Sequence, residues 1–428
     1  MAHGQSSVSG QSYSVGSQPF ISNVDDDALV AELVKNRYPL ALEDGRLKGA
    51  GAELLFREAE ASEFFLIAED HGIAELPQLA AALFRQLNSY GYSHFATEAG
   101  PITARQLEKL ATSPRSSQDF ADFNRRNPFS LPFYFWKEEA ALLEAVVNSP
   151  GRKARPIWGL DQEFVMSAKL HLKRLVELAP NRQARRVVEE YNQKAQTEFN
   201  RMVESKNPSI VFLASATEDD FKKLSAALDP KPGSEAAEIL DELKESWEIY
   251  TKQFRGQVFE ANDQRAQLMK RHFLRYYNEA LREEKSPPKV LFKFGMNHMK
   301  RGRSFINVFD VGSLVPDLAF TNGMKSFHLL VVGASGTQNT YLPFVGNEAD
   351  KNKKYDVVKV FNDYASADVK PLIASVPENR SWAVIDFRPL RPLLTNRKLG
   401  KIDKGLEELI YGYDAVLIIP EIHAATLY

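Results

Sequence analysis

Phe64-Phe65-Leu66-Ile67-Ala68 runs without a break into Glu69-Asp70-His71-Gly72, and beyond it the apolar residues change period. From Glu75 onward Leu76, Leu79, Leu83, Phe84 and Leu87 recur at helical spacing, with Pro77 in the first turn, where it is tolerated. Gly91-Tyr92-Ser93 then leads into a second short run, His94-Phe95-Ala96-Thr97, which ends in Glu98-Ala99-Gly100. Strand, helix and strand make a βαβ unit, whose two strands are parallel. The unit points to an α/β fold with a mostly parallel central sheet flanked by helices.

Two more runs end in the same manner. Pro156-Ile157-Trp158-Gly159-Leu160 meets Asp161-Gln162-Glu163, and Val290-Leu291-Phe292-Lys293-Phe294 meets Gly295-Met296-Asn297-His298. The carboxyl ends of parallel strands face one crevice, where such sheets bind ligands. If the four runs are parallel neighbours, two imidazoles and several carboxylates meet there.

Around these runs the chain divides into segments. Residues 1–24 form a tail, with Met1 to about Ser22 rich in Ser, Gly and Gln and lacking the apolar core of a signal peptide. It suits a disordered tail and the front end of a matured exported protein equally, so the compartment, cytoplasmic or exported, stays open. Residues 25–163 read as the first half of the core, opening with a helix from Asp25 to about Tyr38. Helices are also expected over Thr103–Leu110 and Trp136–Val147, separated by the aromatic Asn127–Tyr134 stretch. Residues 164–286 change texture, with charged residues dominant, apolar positions every three or four, and breaks at Pro180, Pro208 and Pro230–Gly233. This predicts a large helical insertion forming a lid over the strand ends, with Ser215-Ala216-Thr217-Glu218 as a capping box opening one of its helices. Residues 287–428 form the second half of the core, with strands at Phe327–Val332, Ser381–Asp386 and Asp414–Ile419. A charged loop spans Gly346–Lys354, and Gly333-Ala334-Ser335-Gly336 reads as a turn.

Composition narrows the functions. The chain has 428 residues, long for one compact core, with an ordinary 44% hydrophobic and 26% charged content. Lysine plus arginine (54) nearly balances aspartate plus glutamate (56), so the basic footprint of a nucleic-acid binder is missing. No apolar stretch is long enough to span a membrane. With no cysteine, disulfides, thiol nucleophiles and cysteine-bound metals are ruled out. Oligomeric state is not legible.

His71 is the leading catalytic candidate, since an imidazole titrating near neutrality takes and returns protons, and Glu69 is close enough in sequence to orient it. Glu98, at the end of an apolar strand, needs a partner or a raised pKa. Of Asp161, Gln162 and Glu163, one is expected in the crevice and another as cap of the following helix. Asn297 and His298 follow Gly295, read as the residue that lets the backbone turn sharply. Arg301, with Lys300 and Arg303, and Arg125, with Arg126, are candidates for holding a substrate anion, though a solvated basic turn explains most of them. Tyr134 and its aromatic neighbours either fill the core or line a pocket for an apolar substrate. The phosphate loop, the Gly-x-Ser-x-Gly elbow and His-Glu-x-x-His are missing.

The ordered set of Glu-x-His-Gly, Glu98, Trp158-Gly159-Leu160-Asp161-Gln162 and Gly-x-Asn-His resembles the erythromycin esterase-like proteins. These share a superfamily with the ChaN-like haem-binding and Tiki/TraB-type proteins. Asn262-Asp263-Gln264-Arg265-Ala266-Gln267-Leu268-Met269 is similar to the helix preceding that family's second histidine strand, and Tyr413–Pro420 to its last strand. The likeness spans about residues 55–425. It implies a hydrolase of a carboxylic ester or lactone, with a small ester-like molecule as substrate. His71 would be the general base, Glu69 and Glu98 would position it, and His298 would assist at the carbonyl or leaving group, with no cofactor. The family commonly places two residues between the glutamate and the histidine, whereas only Asp70 intervenes here. That spacing is closer to the ChaN-like and Tiki-type patterns, which imply two alternatives. One is a metal-dependent hydrolase or peptidase with a divalent ion on His71, Glu98 and His298; the other is a binding protein for haem or another flat ligand.

Overall fold

The structure, a computed structural model, describes residues 26–340 and 348–428. The expected tail and the front of the Gly346–Lys354 loop lie outside the described residues. Eleven strands are described: β1 (Arg37–Glu43), β2 (Arg46–Lys48), β3 (Ser62–Glu69), β4 (Tyr92–Thr97), β5 (Ile157–Gly159), β6 (Lys289–Gly295), β7 (Lys325–Gly333), β8 (Thr337–Gln338), β9 (Lys353–Lys354), β10 (Trp382–Asp386) and β11 (Ala415–Ile419). Nine of them form one sheet in the order β2-β1-β10-β11-β7-β3-β6-β4-β5, while β8 and β9 pair separately.

From β11 to β5 every neighbouring pair is parallel. Every residue of β3 and of β4 is buried, as continuous apolar runs in a sheet covered on both faces must be. The four runs that end in polar clusters are β3, β6, β4 and β5, side by side. Register sets Glu69 beside Gly295 and Thr97 beside Lys293, so the polar ends meet at one edge.

Helix Glu75–Leu87 crosses from β3 toward β4 with Leu76, Leu79, Leu83, Phe84 and Leu87 fully buried. At the far edge the opening helix stops at Lys35, sooner than its apolar spacing suggests, and Arg37 begins β1. Asp44-Gly45, both at positive φ (51° and 70°), closes the two-residue β1–β2 hairpin. Asp-Gly is the favoured pair for such a turn, so the signal stood in the sequence.

Six helices occupy the middle of the chain: Ala168–Leu178, Arg182–Ser205, Phe212–Ser215, Glu218–Leu228, Glu235–Phe254 and Val258–Glu284. Three of the five breaks between them fall at the prolines noted above. Leu172, Val188, Phe199, Phe212, Leu224 and Leu243 give these helices a core of their own. Their capping box is Thr217 with Asp220, two residues beyond the expected one. Ser215 is already the last residue of the preceding helix, and its hydroxyl donates to Glu198. Helix Val258–Glu284 ties this bundle to the sheet. Its Phe273 ring meets Phe64 and Phe292 at 5.5 and 5.4 Å. Among the described residues no helix is long and apolar enough to cross a membrane.

Candidate active site

Glu98 is the hub of the polar cluster. The residue just past β4, it accepts the Gly295 N–H on Oε2 at 2.7 Å and Arg265 Nη2 on Oε1 at 2.9 Å. His71 Nε2 faces Oε2 at 3.5 Å, and His298 Nε2 faces Oε1 at 3.4 Å. Imidazoles 227 positions apart in the chain therefore share one carboxylate.

Each imidazole is fixed from behind. His71 Nδ1 lies 2.9 Å from Glu69 Oε1, the last residue of β3. That oxygen also accepts from Lys293 Nζ at 2.7 Å, and Lys293 donates to Glu139 Oε1 at 2.6 Å. His298 Nδ1 lies 2.7 Å from Asp310 Oδ2, while the other oxygen of Asp310 caps helix Val311–Thr321. Phe133 stacks on His71 with centroids 4.2 Å apart and planes at 21°. Phe133 itself holds φ at 65°, a left-handed conformation that costs a bulky residue energy and persists only where surroundings enforce it.

Two glycines are dictated by space. Gly72 (φ 84°) passes so near the Asn339 backbone that a Cβ would come 2.2 Å from its carbonyl oxygen. Gly295 has an ordinary φ of −53°, so the sharp-turn reading is corrected. A Cβ there would lie 2.9 Å from His71 Nε2, and it is the imidazole that excludes a side chain.

Charge governs protonation. Burial alone would lower His71, but Glu98 and Glu69 outweigh it and raise the group to about 10. His298 is likewise lowered by burial and raised more by Asp310 and Glu98, to about 9. Burial raises Glu98, yet His298 and His71 hold it well below the usual carboxylate range. Glu69 is held low against burial by Lys293 and His71. Burial lifts Glu139, with the Lys293 charge opposing and Glu69 assisting, to about 7. The near-neutral titration expected of His71 is thus corrected, since the two carboxylates keep it a cation at pH 7. Asp70 is raised by burial, and its Oδ2 has no hydrogen-bond partner among the described residues.

The cluster forms the polar part of a cavity of about 520 Å³. Glu69, Asp70, His71, Glu98, Asp161, Gln162, Asn297 and His298 all line it, joined by Arg265. Phe133, Phe135 and Phe164 form apolar wall, and the helical segment supplies Pro208, Tyr250 and Phe254. Asp161 holds Arg265 through Nε at 2.8 Å and Nη2 at 2.6 Å. Glu163 is the cap, but of the earlier helix Pro101–Ala111, where it accepts from Ile102 N–H at 2.7 Å and from the Thr103 hydroxyl at 2.6 Å. A separate cleft of about 750 Å³ lies between helix Pro101–Ala111 and helices Glu235–Phe254 and Val258–Glu284, with Arg105, Arg155 and Arg275 each paired to a glutamate.

Three expected binding residues are elsewhere. Arg125 is 71% exposed in the last turn of its helix and pairs with Asp122 at 2.8 Å. Arg301 turns inward to Asp414 (2.7 Å) and the Ser326 carbonyl (2.8 Å), joining the segments that begin β11 and β7. Tyr134 is buried below the crevice, its hydroxyl 2.7 Å from Thr97 Oγ1.

The sequence reading missed Arg265, Asp310, Lys293 and Glu139. Lys293 carried a signal, because a lysine inside an otherwise apolar parallel strand is buried and needs a carboxylate. Arg265 lies four and eight residues before Met269 and Phe273, so the helix face that packs on the sheet also aims it at the site.

His71, Glu98 and His298 do meet, with Glu98 between the two imidazoles. Both oxygens of Glu98 already accept protein donors, and the imidazoles face different oxygens. Among the described residues no three His, Cys, Asp or Glu side chains are arranged to hold one ion.

No protein-family model matches the chain, and no curated protein matches it in sequence. Solved structures do. A Bacillus cereus protein shares 16% identity at a TM-score of 0.56, covering 95% of this chain and all of that one. A mutant of erythromycin esterase EreC in its open conformation shares 14% identity at a TM-score of 0.58, covering 91% of this chain and 99% of that one. A succinoglycan biosynthesis protein shares 12% identity at a TM-score of 0.58, covering 94% and 99%. At these identities the likeness is one of fold.

Proposed function

With the erythromycin esterase-like fold as premise, we propose that the chain is a hydrolase that cleaves a carboxylic ester or lactone using water activated by His71. The observation that carries this reading is the convergence of His71 and His298 on Glu98 in one cavity. Among the described lining residues there is no serine, threonine or cysteine, which favours water as the nucleophile.

Glu69, kept anionic by Lys293, accepts the Nδ1 proton of His71 and leaves Nε2 as the nitrogen that takes a proton from water. The hydroxide adds to the ester carbonyl. His298, held protonated by Asp310 and Glu98, offers positive charge to the oxyanion. Collapse breaks the acyl C–O bond, and the alkoxide leaves with the proton taken up by His71. The base form of His71 is a minor species at pH 7, about one molecule in a thousand for a group titrating near 10. No metal enters this scheme.

His71→Ala is the test, assayed on a panel of esters and lactones with circular dichroism and Tm as folding controls. Turnover is expected to vanish while the fold stays. Near-wild-type turnover by the variant sinks the proposal.

A further inference from the structure

Every cation among the described residues of the cavity is already paired. His71 lies between Glu69 and Glu98, His298 between Asp310 and Glu98, and Arg265 between Asp161 and Glu98. A substrate carboxylate or phosphate entering here meets no free positive charge among them, and it faces the Asp70 carboxyl as well. Such a group would leave its water without replacement, which is costly.

The walls have the opposite character. Phe133 lies flat on the His71 ring, and Phe135 packs edge-on against Trp136 beneath it. Tyr250 stacks on Phe254 with centroids 6.4 Å apart, and Phe254 remains 49% exposed although it lines the cavity. Tyr364, also on the lining, is 47% exposed. The same cavity thus carries an apolar ring on the imidazole and half-exposed aromatic rings on its lining. Large apolar side chains left in water beside a cavity mark ligand contact.

We propose that the substrate is an uncharged ester carrying a bulky apolar group, aryl or branched alkyl, that lodges against Phe133, Phe135 and Phe254. This rests on the hydrolase reading and deepens it. Phe254 sets the preference for that group, because removing its ring exposes apolar ligand surface that it otherwise covers.

The test compares methyl 3-phenylpropanoate, methyl acetate, monomethyl succinate and methyl 4-aminobutanoate, with the full chain and with Phe254→Gln and Phe254→Leu. The expected kcat/KM for the phenyl ester is about tenfold or more above the other three, the scale of one well-placed aromatic contact. Phe254→Gln brings the phenyl-to-acetate ratio close to one, and Phe254→Leu keeps most of it. A preference for either charged ester, or a ratio unmoved by Phe254→Gln, overturns the proposal. Calorimetry with the uncharged isostere N-methyl-3-phenylpropanamide separates the two readings. Binding about tenfold weaker in Phe254→Gln, with none of the esters cleaved, supports the pocket assignment and sinks the hydrolase. Cleavage of methyl acetate with no discrimination in binding does the reverse.

Discussion

Gly295 stands against His71 so closely that a methyl group on its Cα would lie 2.9 Å from Nε2. His71 cannot give way freely, since Glu69 holds one edge of the ring and Phe133 covers a face. Gly295→Ala is therefore expected to displace the imidazole and lower hydrolysis about a hundredfold, the cost of misplacing a reacting group by an ångström. Its ordinary φ predicts Tm within a few degrees of wild type. Full activity in this variant would place the reacting nitrogen elsewhere.

Hydrolysis is expected to rise about tenfold in kcat/KM per pH unit from pH 7 to about 9, then to level off as His298 loses the proton the oxyanion needs before His71 reaches its value of about 10. A profile that is flat from pH 7 upward removes His71 as base.

Stability moves the other way. His71 and His298 are raised in the fold from 6.5 to about 10 and about 9. Their share of stability is complete below an unfolded value near 6.5 and is lost as pH rises through the folded values. Denaturant midpoints falling between pH 7 and 10 in wild type, and less so in His298→Gln, are the expected record.

Lys293→Met takes the paired cation from Glu139 and leaves Glu69 with His71 alone. Loss of one partner from a buried pair costs about 3–5 kcal/mol. In wild type Glu69 is lowered, so its contribution is present above the unfolded carboxylate value and is lost as pH falls. In the variant Glu139, already raised to about 7 with Lys293 beside it, is raised further and folds best protonated, so stability falls as pH rises. Urea midpoints of the two proteins are expected to be far apart at pH 8 and to approach each other at pH 5; a constant gap removes the ion pair as the cause.

Chelator is expected to leave hydrolysis unchanged. Inactivation by EDTA with recovery on adding one divalent ion per chain would instead support a metallohydrolase.

The run from Phe64 to Gly72 was enough to place a parallel strand and its polar end, because burial on both faces demands an unbroken apolar run. Helix Glu75–Leu87 was legible for a similar reason, its apolar stripe needing no partner to be seen. The β1–β2 hairpin carried its signal in Asp44-Gly45 but was overlooked behind the helical stripe that runs up to it, and the capping box shifted because Ser215 belongs to another helix. Apolar patterning alone was sufficient to mark which segments are buried and that imidazoles and carboxylates end the strands. Packing settled the partners: Arg265 reaches Glu98 from helix Val258–Glu284, Arg301 turns into the sheet, and Glu69 and Glu98 hold His71 as a cation. Periodicity is a local property of the chain, whereas charge pairing depends on distances between segments far apart in sequence, and those are fixed by packing.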